Sequence, residues 1–148
     1  MKTTRFISFS KNLFLILITT ALIISLNSCA TKATFLNSSV VPAARGTVKV
    51  KKDGNKNYVI KIQLRNLAEA KRLSPSKNTY VVWLETEDNT IKNIGQVKSS
   101  TYLLSKKLKG SFETVSSFKP TKIFLTAEDD ANIQYPSYTN VILTTDKF

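Results

Sequence analysis

The chain has 148 residues, no histidine, one cysteine and a formal net charge of +12. With no imidazole and a single thiol it cannot build a Ser-His-Asp triad, a Cys-His pair, a Cys/His zinc site or a cupredoxin-type copper site. Its four glycines are isolated, which leaves no phosphate-cradling loop, and a hydrophobic content of 42% sets it apart from disordered chains.

The first eleven residues carry Lys2, Arg5 and Lys11 and no acid. The stretch from Leu13 to Leu26, LFLILITTALIISL, is then almost wholly apolar. Spanning a bilayer takes about 20 apolar residues in a helix, so this run is short for a span but suits the apolar centre of a secretory signal. It ends at Leu26-Asn27-Ser28-Cys29, which resembles the bacterial lipobox: an aliphatic residue three before the cysteine and a small residue one before it. The resemblance implies signal-peptidase recognition through Leu26 and Ser28, cleavage before Cys29 and diacylglycerol on the Cys29 thiol. Two or three acyl chains anchor a protein durably where one holds it only marginally. The expected organisation is a lipoprotein signal peptide over residues 1–28, a lipidated tether over 29–45 and one folded domain over 46–148. With its cysteine acylated, the mature chain has no thiol left for a disulfide.

From Gly46 the apolar residues recur with period two. Val48 and Val50 alternate with Lys49 and Lys51, and Asp53-Gly54 lies in a short polar turn, predicting a hairpin. Its second arm sets Tyr58, Ile60, Ile62 and Leu64 on one face. Residues 68–78 break the alternation, predicting a helical turn with Leu73 tucked inward. TYVVWLE follows with apolar residues on both faces, as a central strand requires, and Trp83 is expected to fill the core between the sheets. IKNIGQV returns as a further strand in which Gly95 marks a bulge. TYLL, LKGSFETV, TKIFLTAE and NVILTT complete roughly seven or eight short strands. The predicted fold is all-β: a small antiparallel, immunoglobulin-like Greek-key β-sandwich.

The segment KNTYVVWLETEDNTIKNIGQV, with Tyr80 and Trp83 three apart and a strand ending near Gly95, resembles the extracytoplasmic domain of the anti-sigma-K factor family. So does IFLTAEDDANIQYPSYTNVIL, in which Glu128 ends a strand and Pro136 precedes a final apolar strand. Together they span about Arg45 to Leu143. The resemblance implies the sandwich fold, an envelope setting and a sensory or binding role. Reading residues 1–28 as a cleaved signal leaves no cytoplasmic segment to sequester a sigma factor, so that activity is not carried over. Asp129-Asp130-Ala131-Asn132 stands where the family has a glycine-rich turn.

Removing Lys2, Arg5 and Lys11 leaves 19 basic residues against 10 acids, a charge of +9. The lysines are spread singly and in pairs along several segments, the ordinary pattern of a solvated surface. No aromatic and glycine pattern of an RNA-binding sheet surrounds them, so nucleic acid is not an expected partner. An anionic membrane surface is the more natural neighbour.

Among the carboxylates, Glu85, Glu87 and Asp88 lie near one turn and Glu128, Asp129 and Asp130 near another. Solvated turn acids are the plain reading. A glycosidase pair using Glu85 and Glu128, or calcium on Asp129, Asp130 and Asn132, are the alternatives. No catalytic residue, metal site or cofactor is assigned. Tyr135, Pro136 and Tyr138 form the expected binding loop, since exposed rings give contact area at low entropic cost. The expectation is a non-catalytic binding or sensory module, lipid-anchored in the bacterial envelope and facing the periplasm, with an envelope protein or glycan as partner. A structural subunit of an envelope complex is the alternative, and a carbohydrate-active enzyme the weaker one.

Overall fold

The computed structural model describes residues 30–100 and 109–148, with the backbone alone for 98–100. The described residues form nine strands: β1 (Ala30–Thr34), β2 (Arg45–Lys52), β3 (Tyr58–Arg65), β4 (Thr79–Glu85), β5 (Ile91–Gln96), β6 (Lys98–Ser100), β7 (Lys109–Ser116), β8 (Lys122–Glu128) and β9 (Val141–Thr144). Among these residues no helix is long and apolar enough to cross a membrane. The strands form two antiparallel sheets, ordered β1-β2-β3-β7-β6 and β5-β4-β8-β9. The chain changes sheet between β3 and β4, between β5 and β6, and between β7 and β8. This is the Greek-key connectivity of immunoglobulin-type sandwiches, with β1 as an added edge strand.

The period-two pattern accounts for the interior. Val48 pairs with Ile62 and Val50 with Ile60, and all four point inward against Val82, Leu84, Ile123 and Leu125 of the other sheet. The hairpin turn is closed by Asp53, whose Oδ1 accepts from the backbone N–H of Asn55 and of Asn57 at 2.8 Å each. The break over residues 68–78 contains a 3-10 turn at Ala70–Arg72, and Leu73 packs against the core. Gly95 sits at φ +126 where the β4–β5 register shifts, so Ile94 is the extra residue of the expected bulge. The TYLL segment lies outside the described residues.

Two strands come in addition to those expected. β6 is only three residues long, and β1 lies within the segment assigned to the tether. Among the described residues, folded structure therefore extends back to Ala30, well ahead of Gly46. Ala30 pairs with Lys51 and Thr34 with Thr47, and Phe35, Val41 and Ala44 are buried. The alternation in ATKAT is too weak to mark a strand alone, because its inward positions are only Thr31 and Ala33. Pairing with the edge of β2 supplies what hydrophobicity does not.

Tyr80 is buried in the interior, and its hydroxyl donates to the Ala68 carbonyl at 2.9 Å. Burial pushes its pKa from 10.0 up to about 12. The neutral phenol is thus favoured by folding. Its contribution to stability is complete below pH 10.0 and is lost as pH rises from there through about 12. In a spectrophotometric titration one tyrosine should ionise last, near pH 12, and Tyr80→Phe should remove that phase. An unchanged titration curve in the variant would contradict the burial.

Candidate binding surface

Because Tyr80, Val82 and Leu84 face inward, alternation turns Val81 and Trp83 to the outside of the β5-β4-β8-β9 sheet. Trp83 therefore does not fill the core between the sheets, as the sequence suggested. It is nevertheless fully buried, because the β8–β9 segment, residues 129–140, folds back across this outer face. A second small core results, made of Val81, Trp83 and Phe124 with Ile91, Ile133 and Val141 around it. Trp83 Nε1 donates to Thr126 Oγ1 at 2.8 Å. Its ring stacks on Phe124 at 6.3 Å between centroids, and Phe124 stacks on Tyr138 at the same distance.

Polar contacts fasten this segment at intervals. Glu128, buried at the end of β8, accepts the Ser137 backbone N–H on Oε1 at 3.0 Å. Asn93 on β5 donates from Nδ2 to the carbonyls of Ala131 and Ile133, both at 2.8 Å. Its Oδ1 accepts the Gly95 N–H at 2.9 Å, so one amide ties the bulge to the covering segment. Asp129 pairs with Lys77 at 2.7 Å, and Asp130 accepts the Asn132 N–H at 2.9 Å. Asp130 thus serves the turn's own geometry, and Asp129 ties the turn to the loop ahead of β4. Among the described residues no three His, Cys, Asp or Glu side chains gather as a metal-binding group.

Of the described aromatic residues on and around this sheet, Tyr80 and Trp83 are buried. Tyr135 and Tyr138 stand on the covering segment at 83% and 65% exposure, with Pro136 half-buried between them. The segment expected to bind thus presents an exposed pair of rings, one of them seated on a buried aromatic stack. Beside it, between β5 and residues 131–134, runs an open groove of about 720 Å³. Lys92, Gln96, Asn132 and Gln134 line it with polar side chains, and Ile91 and Ile133 with apolar ones. Sequence reasoning named the tyrosines but missed the groove and the fastening roles of Asn93 and Glu128. Only the bulge at Gly95 hinted that β5 was irregular there.

The carboxylates considered as a glycosidase pair do not meet. Thr79 pairs with Glu128 and Glu85 with Lys122, so Glu85 and Glu128 stand at opposite ends of β4 and β8. Six residues of strand separate them by about 20 Å, whereas such pairs stand roughly 5–9.5 Å apart. Glu85 is paired instead with Lys147 at 2.7 Å, and Glu87 with Lys119, whose pKa is raised by that carboxylate. The hydroxyls of Thr86 and Thr90 donate to Asp88 and lower its pKa.

Leu26, Ser28 and Cys29 lie outside the described residues, immediately ahead of β1. No family model, no curated protein and no solved structure matches this chain.

Proposed function

We propose that this chain is a lipid-anchored lipoprotein of the bacterial cell envelope, with its sandwich on the periplasmic side as a non-catalytic binding or sensory module. The observation that carries the reading is the signal-length apolar run ending at the chain's only cysteine, with β1 beginning at the next residue. The exposed Tyr135 and Tyr138, beside a polar-lined groove on a fastened segment, support binding as the activity. The resemblance to the extracytoplasmic anti-sigma-K domain supports an envelope setting for such a module.

The anchor is tested by expressing the full-length chain and its Cys29→Ser variant in bacteria and fractionating the cells. Wild type should sediment with membranes and carry acyl chains by mass spectrometry. The variant should carry none, and should either accumulate as precursor or leave the membrane fraction. Unchanged mature mass and membrane retention in the variant would overturn the reading. Photo-crosslinking from position 135 in the same cells then identifies what the tyrosine loop touches.

A further inference from the structure

The lysines that look scattered along the sequence are gathered by the fold. On the outer face of the β1-β2-β3-β7 portion, strand register sets side chains in rows across neighbouring strands. Lys32, Lys49 and Lys61 stand directly opposite one another in one row, which ends at Glu113. Arg45, Arg65 and Lys109 form another row. Lys51 lies between Ala30 and Val59 in a third, which ends at Val115, 58% exposed. All seven cations are exposed, and Glu113 is the one acid on these outward positions, paired with Lys61 at 2.7 Å.

Like charges directly opposite on adjacent strands oppose sheet formation. Folding alone gives no reason for Lys32, Lys49 and Lys61 to share a row with one carboxylate among them. The other sheet's outer face is roofed by residues 129–140 over an apolar cluster, so the two faces of the sandwich differ in kind. The third row begins at Ala30, the residue after Cys29. An acyl anchor on Cys29 would therefore leave the domain at a corner of the basic face with no spacer between. With the anchor at that corner the face can lie flat on the bilayer, its cations within about a Debye length, roughly 10 Å, of the headgroups.

We propose that this basic face lies on a bilayer containing anionic phospholipid, with Lys32, Lys49 and Lys61 over the headgroups and Val59 and Val115 in the interfacial layer beside the anchor. The proposal rests on the lipoprotein reading for its tether. The face itself, however, can be tested apart from the anchor. Each lysine near an anionic surface strengthens association about fivefold, so neutralising three weakens docking on the order of a hundredfold.

The full-length lipoprotein, purified from membranes in detergent, is reconstituted into vesicles of phosphatidylcholine alone and of phosphatidylcholine with phosphatidylglycerol. Flotation with the neutral vesicles reports the anchor, and failure there counts against the lipoprotein reading only. Exposed lysines are then acylated with a water-soluble reagent and located by mass spectrometry. Lys32, Lys49 and Lys61 should be modified about fivefold more slowly on the anionic vesicles, an effect erased by high salt, while Lys71 on the 3-10 turn keeps its rate. In the triple variant K32Q/K49Q/K61Q, which relieves repulsion and should fold at least as stably, Lys51 should lose its protection. Equal labelling on both vesicles overturns the proposal, as does protection by a soluble polyanion such as dextran sulfate with none from the anionic bilayer.

Discussion

Trp83→Ala is expected to lower the unfolding free energy by about 3–5 kcal/mol, the cost typical of truncating a large buried aromatic residue. Trp83 lies on the outer face of its sheet, yet it is completely buried, stacked on Phe124, with its indole N–H bonded to Thr126 Oγ1. Truncation removes the floor on which the 129–140 segment rests and leaves the Thr126 hydroxyl without this partner. The effect should therefore extend past stability: protease cleavage and amide exchange should rise over residues 129–140 before the sheets themselves open. Trp83→Phe keeps a ring against Phe124 and loses the indole hydrogen bond, so it should cost less, with the bond itself contributing about 1 kcal/mol. Urea titrations of both variants, followed by circular dichroism because Trp83 is the sole tryptophan, decide the matter. A cost for Trp83→Ala near that of a surface substitution, within about 0.5 kcal/mol, would mean that the second core does not exist.

Phe35→Ala should be comparably damaging, at about 3–5 kcal/mol. Phe35 is buried, its N–H donates to the Gly46 carbonyl at 3.0 Å, and it bridges to Thr145 beyond the end of β9. The next residue continues the join, with the Leu36 N–H donating to the Thr144 carbonyl at 2.8 Å. The ring lies over Gly46, where a Cβ would come within 2.8 Å of Phe35 Cδ2 and 2.6 Å of Leu64 Cδ2. This close approach requires glycine. Phe35 thus closes the corner where β1 meets the other sheet. In a free tether the same change would fall within about 0.5 kcal/mol, so a chemical-denaturation midpoint that does not move would restore the tether over residues 29–45. The result bears on the proposed function, because a strand that starts at Ala30 leaves no tether between the domain and the proposed anchor at Cys29.

Most of the sandwich was legible because its strands alternate cleanly. Val48 and Val50, then Ile60, Ile62 and Leu64, then Ile123 and Leu125 each repeat every second residue, and burial of one face follows from that period. β4, apolar on both faces, was recognisable as central, and Gly95 marked the bulge in β5. The weak spots share one cause. β1 has no strong alternation of its own, and it is a strand because β2 presents an open edge to it. Trp83 was assigned to the wrong face because two buried faces look alike in a sequence. Only residues 129–140, folding back over one of them, make the outer face apolar and closed. Of the candidate site, Tyr135 and Tyr138 were recognisable as exposed rings in a polar, proline-containing stretch. The groove beside them unites β5 with a segment some 40 residues later, as the Asn93 contact to Ile133 illustrates.

By itself the sequence determined the strand pattern, the absence of imidazole, the single cysteine and the apolar run that precedes it. Those are properties of composition and of local period, which need no partner. Tertiary structure alone decided that Glu85 and Glu128 stand at opposite ends of paired strands and that Trp83 lies outside the main core. It likewise decided that Lys32, Lys49 and Lys61 share a single row. Each of these depends on strand register and sheet order, which join residues far apart in the chain at spacings of about 5 Å. No local pattern carries that information.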